Sequence, residues 1–273
     1  MIASAVNEWP DADAAAGPAP LARRRRPTLP GEVPEGVWRG SELGSQVSET
    51  VATGWPALDA QLPGGGWPRR SVSEILAPQP AVLEWRLLGS ALAQAVAAHG
   101  QVVLVGPPKH PHLPGLVHAG LDARHLVWIR AETPAERLWV TEQMIKSDAA
   151  GAIVAWLPQA RQEQIRRLQV CALACHAPVF LCRPETARHE SSAAPLRVHA
   201  RYALDWELQV EIFKRRGPSL DAPVHLPSIP GGLASVLTPR LLQPSLLKRR
   251  METVDAVGSP APRVRSGRQL AVH

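Results

Sequence analysis

Short apolar segments alternate with stretches of helical periodicity from residue 71 to residue 182, and this alternation constrains the fold more than any other feature. Gln101–Gly106 and Gly151–Leu157 are apolar runs of strand length. Between such runs, apolar residues recur at helical spacing, as Leu87, Leu88 and Leu92 do within Trp85–Ala98. The pattern predicts an α/β fold, a mostly parallel sheet with helices on both faces.

The other predicted elements follow the same alternation. Thr133 and Pro134 have the residue types of a helix N-cap and first helical position. After residue 202, apolar residues alternate with polar ones, which predicts a strand or hairpin at the sheet edge over Tyr202–Phe213. The remaining predicted strands are Ser71–Leu76, Leu126–Arg130 and Pro178–Cys182, and the remaining predicted helices are Leu116–Leu121, Pro134–Ser147 and Arg161–Cys175.

The segment after the first predicted strand, Ala77–Arg86, lacks the residues that bind phosphate. A phosphate loop reads G-x-x-x-x-G-K-[ST], because its backbone N–H groups, lysine and hydroxyl hold the phosphates and Mg²⁺. This window contains no glycine, lysine, serine or threonine. Pro78 and Pro80 each remove an N–H donor, and Glu84 would repel a phosphate. The sequence therefore predicts no bound nucleotide cofactor in the usual mode.

Two further positions weigh against an ATPase. The central predicted strand ends in Trp156 and Leu157, neither of which can ligate Mg²⁺. The second strand runs into Gly106-Pro107-Pro108-Lys109, which offers no carboxylate as a general base. We therefore expect a protein that is not an enzyme, with no catalytic or cofactor-binding residues. The alternative is an active site in which all three functions are supplied from elsewhere in the chain.

Charge and cysteine content limit the environment and partners of the chain. The formal net charge is +6, which mildly favours an anionic partner such as nucleic acid, although a G+C-rich genome would also enrich arginine. Cys171 and Cys175 with His176 invite a metal interpretation, but their apolar surroundings favour free buried thiols, so we expect no metal site. No apolar run approaches the ~20 residues of a membrane span. We expect a cytoplasmic protein.

Residues outside the α/β region have a different composition. Residues 1–36 are rich in alanine and proline around Arg23–Arg26 and predict a disordered tail. Residues 37–44 predict a segment anchored to the core. Gly64-Gly65-Gly66 precedes Trp67-Pro68, and a tight turn into the first core strand is the favoured interpretation, with a ligand loop as the alternative. From about Ser259 onward the chain is basic and predicts little order.

A set of short motifs, in a fixed order along residues 37–218, carries a resemblance to a known family. The motifs are V-W-R-G-S-E-L-G (37–44), L-P-G-G-G-W-P (62–68), V-G-P-P (105–108), E-R-L-W-V-T-E-Q (136–143), A-W-L-P (155–158), R-R-L-Q (166–169), A-P-L-R (194–197) and K-R-R-G-P (214–218). In this order they resemble the ImuA family, RecA-like proteins of bacterial mutagenesis cassettes that are also described as SulA-like.

The resemblance implies a RecA-like domain over residues 37–218 with a degenerate phosphate loop. It also implies a role in DNA damage and repair, as an SOS-response accessory factor of mutagenic translesion synthesis. Its expected partners are an ImuB-like protein and, indirectly, a second DnaE-type polymerase, with RecA and DNA as further candidates. A SulA-like inhibitor of cell division and an active RecA-type ATPase are the alternatives. Recombinase activity does not carry over, because the nucleotide-contacting positions differ.

Two sets of residues are candidates for contacts. By position, residues 183–201 resemble the DNA-binding loop region of RecA, and nearby cations predict a basic stripe for DNA or a partner: Arg188, Arg197, Arg201, Lys214, Arg215 and Arg216. The alternative is that Glu185 and Glu190 neutralise this loop. Within the C-terminal extension, residues 219–273, a leucine-rich segment interrupted by Pro239 and Pro244 predicts docking on the ImuB-like partner or RecA through Leu241, Leu242, Leu246 and Leu247.

The C-terminal extension has an alternative role as cover for an edge of the protein's own sheet. We expect the sheet to be complete near Gly217, so that residues 219–273 are not needed to finish it.

Overall fold

The computed structural model describes residues 49–220, 222–229, 233 and 235–246. Within these residues the chain is α/β, with a mostly parallel central sheet of eight strands flanked by helices. This confirms the predicted class and is compatible with a RecA-like core. The expected tail at 1–36, the anchored segment at 37–44, Leu247 and the segment from Ser259 lie outside the described residues.

Strands and helices alternate as the sequence pattern predicts. The strands are β1 (Thr50–Val51), β2 (Trp67–Pro68), β3 (Val72–Ala77), β4 (Val102–Val105), β5 (Leu126–Ile129), β6 (Ala152–Trp156), β7 (Val179–Pro184), β8 (Leu196–Tyr202), β9 (Glu207–Lys214) and β10 (Val224–Pro227). The helices are α1 (Pro56–Asp59), α2 (Glu84–Ala97), α3 (Leu113–His118), α4 (Pro134–Ser147) and α5 (Gln162–Ala172), with 3-10 turns at Ala123–His125 and Glu185–His189 and a helical turn at Pro239–Leu242.

The central sheet has the strand order β10-β9-β8-β3-β7-β6-β4-β5. From β8 to β5 all neighbouring strands are parallel, whereas β9 pairs antiparallel with β8 and β10 antiparallel with β9. Strand β3 lies between β7 and β8, so both of its faces and both of its edges are covered. Its end, which leads into α2, therefore lies at an inner position along the carboxyl edge of the sheet.

The two faces of the sheet form separate hydrophobic cores because side chains alternate along each strand. Leu104 on β4 packs on the face covered by α2, in one cluster with Leu88 and Leu92 of that helix. Its neighbour Val103 packs on the opposite face, against Ile145 of α4 and residues of α5. Each helix thus turns its apolar stripe to the sheet, as the periodicity predicts.

Local signals for turns and caps are confirmed. Thr133 caps α4 in a capping box with Glu136, and Pro134 is the first helical residue. Gly64 and Gly65 have φ angles of 81° and 77°, which side chains with a Cβ disfavour, so the three glycines form a tight turn into β2. The same turn places β2 antiparallel to β1.

The sheet extends further toward the C-terminus than the sequence predicts. The expectation that it is complete near Gly217 is wrong, because β10 pairs with β9 and buries Val224 and Leu226. Consequently β9 is not the edge strand. With only four residues and a proline at its end, β10 is too short for the alternation to stand out. The alternative assigned to the extension, that it covers the sheet edge, holds for this strand.

Strand β8 is a second departure from the sequence pattern. Residues 196–202 lie in the sheet beside β3, where we predicted a loop leading to a strand from Tyr202. The run L-R-V-H-A-R-Y places Arg197 at a buried position, which apolar periodicity does not anticipate. Only an ion pair across the strands makes that position tolerable for an arginine.

Candidate functional site

The connection between β3 and α2 lies at the carboxyl end of a central parallel strand, where open α/β sheets bind their ligands. Pro78 and Pro80 contribute no N–H groups to this connection. The N–H groups of Ala81 and Val82 both donate 2.9 Å hydrogen bonds to the two carboxylate oxygens of Glu84. The connection therefore satisfies these two donors within the chain itself.

Glu84 is the first residue of α2, and its carboxylate is buried at this helix N-terminus. A third donor reaches it from β6, because the indole Nε1 of Trp156 lies 3.2 Å from Oε1 of Glu84. An acidic group is favourable at a helix N-terminus, since it faces the unpaired N–H groups and the positive end of the helix dipole. The carboxylate thus takes the place that an anionic ligand would occupy there.

The surroundings of Glu84 are buried and mostly apolar. Cys182 of β7 is buried nearby, and its pKa is raised well above the usual value, first by burial and then by the charge of Glu84. Trp85 packs against Trp156 with ring centroids 5.8 Å apart. Bringing a phosphate to these donors would require displacing the Glu84 carboxylate from them.

The end of β6 provides packing. Trp156 and Leu157 are 2% and 3% exposed, so the strand end at which we looked for a Mg²⁺-binding acid carries buried apolar side chains. At the end of β4, Gly106 has a φ of 57° and lies against the side chain of Arg137. The cleft beside Gly106 contains one carboxylate, Glu132, which the sequence pattern did not place there.

Arg197, one of the predicted contact residues, is buried in the sheet. Its side chain forms an ion pair with Glu74, which is fully buried on β3. It also donates a 2.8 Å hydrogen bond to the carbonyl oxygen of Ala187, and its guanidinium lies 4.7 Å from the Phe213 ring. Arg197 therefore holds the 3-10 turn at 185–189 against the sheet and presents no charge to a surface partner.

Glu74 has a second partner that sequence reasoning missed. Arg183 of β7 lies 2.6 Å from Glu74 and 2.6 Å from Glu190. A carboxylate inside a strand is the sequence signal for such a partner, because a buried charge requires one. Glu190 thus neutralises Arg183, and Glu185 lies 3.3 Å from His199, so both acids have partners within the chain.

Three other predicted cations lie on the hairpin formed by β8 and β9 or on the turn before it. Arg188 forms an ion pair with Glu211, and this pairing raises the pKa of Arg188 and lowers that of Glu211. Arg201 donates a 3.1 Å hydrogen bond to Gln209. Lys214 donates to the carbonyl oxygen of Ser192 at 2.7 Å, and burial is the main cause that lowers its pKa.

The last two predicted cations, Arg215 and Arg216, directly follow Lys214 at the end of β9. They line a pocket where β3 and β8 begin and β9 ends, together with Arg69 and Arg70. Sequence reasoning did not include Arg69 and Arg70, although the adjacent pair before a predicted strand was a visible signal. Because Arg197 is buried, the six predicted cations do not form one exposed stripe.

Three of the predicted docking leucines, Leu241, Leu242 and Leu246, belong to a segment that is bound to the β8–β9 turn. The indole N–H of Trp206 donates to the carbonyl oxygen of Leu241 at 2.9 Å, and the Asp205 carboxylate accepts hydrogen bonds from the N–H and hydroxyl of Ser245. Leu242 is half-buried. Leu241 and Leu246 remain 50% and 53% exposed, so their side chains are accessible to a partner.

Comparisons with known proteins add no family assignment. No family model matches the chain, and no curated protein matches it either. Across the residues that the structure describes, no group of three or more histidine, cysteine or acidic side chains is arranged to hold a metal ion. No helix in the described part of the chain combines the length and apolar character needed to cross a membrane.

Proposed function

We propose that this protein is a non-catalytic adaptor built on a RecA-like domain whose phosphate loop is degenerate. The observation that carries the proposal is the buried Glu84 carboxylate, which accepts the N–H groups of Ala81 and Val82 and the indole N–H of Trp156. A nucleotide would need these same donors and a positive charge, and Glu84 supplies a negative one. The scaffold is thus suited to binding other macromolecules.

The cellular role that fits such an adaptor is mutagenic translesion synthesis in the SOS response, in the cytoplasm. The ordered motifs between residues 37 and 218 support this role through their resemblance to the ImuA family. In this cellular role, the protein contacts an ImuB-like protein and, through that protein, a second DnaE-type polymerase. The exposed Leu241 and Leu246 and the arginines at the opposite end of the sheet are the surfaces available for such contacts.

Titration of the purified chain with ATP–Mg²⁺ tests the degenerate site. We expect no binding heat and no hydrolysis above background. Dissociation constants in the micromolar range, roughly −8 kcal/mol of binding free energy, would overturn this part of the proposal. The matched variant for this titration is Glu84→Gln, which removes the negative charge between β3 and α2 and keeps the size of the side chain.

Capture of partners tests the cellular role. The tagged full chain, isolated from cells after treatment with a DNA-damaging agent, should retain the ImuB-like protein, and untreated cells should yield less of it. Filamentation on overexpression without DNA damage, together with loss of this capture, would instead support the inhibitor of cell division.

A further inference from the structure

The pocket at the amino-terminal end of the central strands combines an apolar floor with an arginine rim. It has a volume of about 280 Å³ and lies beside the starts of β3 and β8 and the end of β9. The lining includes Leu196, which is buried, and Leu173, which is 55% exposed, and this apolar part is called the floor. It also includes Arg69, Arg70, Arg215 and Arg216, which are called the arginine rim. The pocket is at the opposite end of the sheet from Glu84.

The arginine rim keeps its positive charge. Arg69 donates to the carbonyl oxygen of His176 at 2.7 Å, Arg70 lies 3.2 Å from the ring Nε2 of His176, and Arg215 donates to the carbonyl oxygens of Pro218 and Gln61. Within the described ranges, no member of the rim forms an ion pair, in contrast to the buried arginines of the sheet. Glu49 is the one carboxylate among the lining residues, so the cations are in excess.

Three of the four rim arginines, Arg69, Arg70 and Arg215, are also held in place before any ligand arrives. The bonds to carbonyl oxygens fix the guanidinium of Arg215, and the N–H of Arg69 donates to the carbonyl oxygen of Glu49 at 2.8 Å. Arg70 has a φ of 53°, a left-handed conformation that favours glycine, yet the chain places a long cation at this turn. Ordered side chains lose less entropy on binding, which favours affinity.

We infer that this pocket binds an acidic peptide segment of a partner protein, with carboxylates on the arginine rim and an apolar side chain on the floor at Leu173 and Leu196. This inference rests on the proposed adaptor function and specifies one of its contact surfaces. Arginine guanidinium groups match carboxylates in a two-pronged geometry, which gives orientation as well as charge. The volume is at the small end of ligand pockets and suits one or two side chains.

The lining favours a peptide over nucleic acid. Single-stranded nucleic acid binds by stacking its bases on aromatic side chains along a basic groove. None of the described residues that line this pocket is aromatic, and its floor is formed by leucine and proline. A phosphate backbone alone would contact the arginine rim but not the apolar floor. An aliphatic side chain flanked by carboxylates would contact both the floor and the rim.

Fluorescence anisotropy with the full chain tests the inference. The probe is a short fluorescein-labelled peptide in which glutamates flank a central pair of leucines, and a second probe carries serines in place of the leucines. We expect saturable binding of the first probe. Arg216→Glu, at an exposed rim position, should weaken it at least about tenfold, equivalent to ~1.4 kcal/mol. Leu173→Ser should weaken it less, because only part of the floor is lost.

The matched control is Arg130→Glu, which makes the same change in net charge at the exposed carboxyl end of β5. It should leave the affinity unchanged. Equal weakening by Arg130→Glu and Arg216→Glu would overturn the inference, as would equal binding of the serine probe or tighter, Arg216-dependent binding of a single-stranded oligonucleotide. If the peptide fails to bind while the ImuB-like partner is still captured, the result contradicts the inference about the pocket but not the proposed adaptor function.

Discussion

The indole Nε1 of Trp156 lies 3.2 Å from Oε1 of Glu84 and joins the end of β6 to the start of α2. In sequence the two residues are 72 positions apart. Their hydrogen bond gives the buried indole N–H an acceptor and the buried carboxylate a donor besides the N–H groups of Ala81 and Val82. Packing of the ring and pairing of the charge thus belong to the same contact.

Two substitutions at Trp156 distinguish the contribution of its packing to stability from that of its hydrogen bond to Glu84. Trp156→Ala should lower the free energy of unfolding by about 3–5 kcal/mol, because a large buried ring is lost. Trp156→Phe keeps most of the ring and removes the donor to Glu84, so it should cost about 1–3 kcal/mol. Urea unfolding measures both. Trp139→Phe is the control at a tryptophan that is 61% exposed, and a comparable loss there would contradict the interpretation.

The glycine turn before β2 gives a second prediction. A Cβ at Gly66 would lie 2.4 Å from the carbonyl oxygen of Val51, whereas a Cβ at Gly65 would meet nothing within 4 Å. Gly66→Ala should therefore cost about 1–3 kcal/mol through forced displacement of β1. Gly65→Ala should cost roughly 1–2 kcal/mol, since only its left-handed φ is strained. The melting temperature of Gly66→Ala should be lower than that of Gly65→Ala. The reverse order would show that β1 moves freely.

Elements with a clear period were predictable, and those stabilised by distant partners were not. The start of α4 follows from Thr133 and Pro134 in sequence, because a cap acts within one turn of the chain. Strand β8 was not predicted because the buried charge of Arg197 is paired with that of Glu74, which lies 123 residues away in the sequence. Pattern reasoning has no access to such a pairing until the sheet order is known.

The same limit applies to the candidate site. The absence of phosphate-binding residues in 77–86 is visible in the sequence, and Glu84 reads there only as a repelling charge. Its role as acceptor for Ala81, Val82 and Trp156 depends on how β6 lies next to β7 and how α2 packs on the sheet. The arginine rim likewise joins residues from two distant parts of the chain.

Acid should weaken the contact between α4 and α5. Glu142 is buried on α4 and accepts hydrogen bonds from Lys146 and from Arg167 of α5, and these partners, Lys146 first, lower its pKa below the ordinary 4.5. A carboxyl whose pKa is depressed by folding stabilises the fold above its unfolded pKa, and this contribution is lost as the pH falls through the folded pKa.

Glu142→Gln should therefore cost up to about 1 kcal/mol at neutral pH, since both cations are half-exposed and screened. The difference from the unmodified chain should shrink as the pH falls below 4.5. Urea unfolding across this range measures it. Glu163→Gln, at an exposed position of α5, is the control, and a difference for Glu142→Gln that is constant with pH would rule out the ion pair as its source.

Two truncations distinguish the parts of the C-terminal extension. Ending the chain after Gly217 removes β10, whose Val224 and Leu226 are buried, and removes the contacts of Arg86 with Ser228 and Ile229. We expect this variant to aggregate or to lose several kcal/mol, about 1.5–3 kcal/mol for each buried apolar side chain, because β9 becomes an open edge. Full stability would show that β10 is dispensable.

Ending the chain after Leu237 keeps β10 and removes the segment held by Asp205 and Trp206. This shorter protein should remain folded, with a melting temperature within a few degrees of the full chain, since the lost contacts lie at the surface. If Leu241 and Leu246 dock on the ImuB-like partner, capture of that partner should be lost. The double variant Leu241→Ser, Leu246→Ser should lose it as well, because it removes only the exposed apolar side chains. Undiminished capture by both variants would place the partner on another surface of the protein.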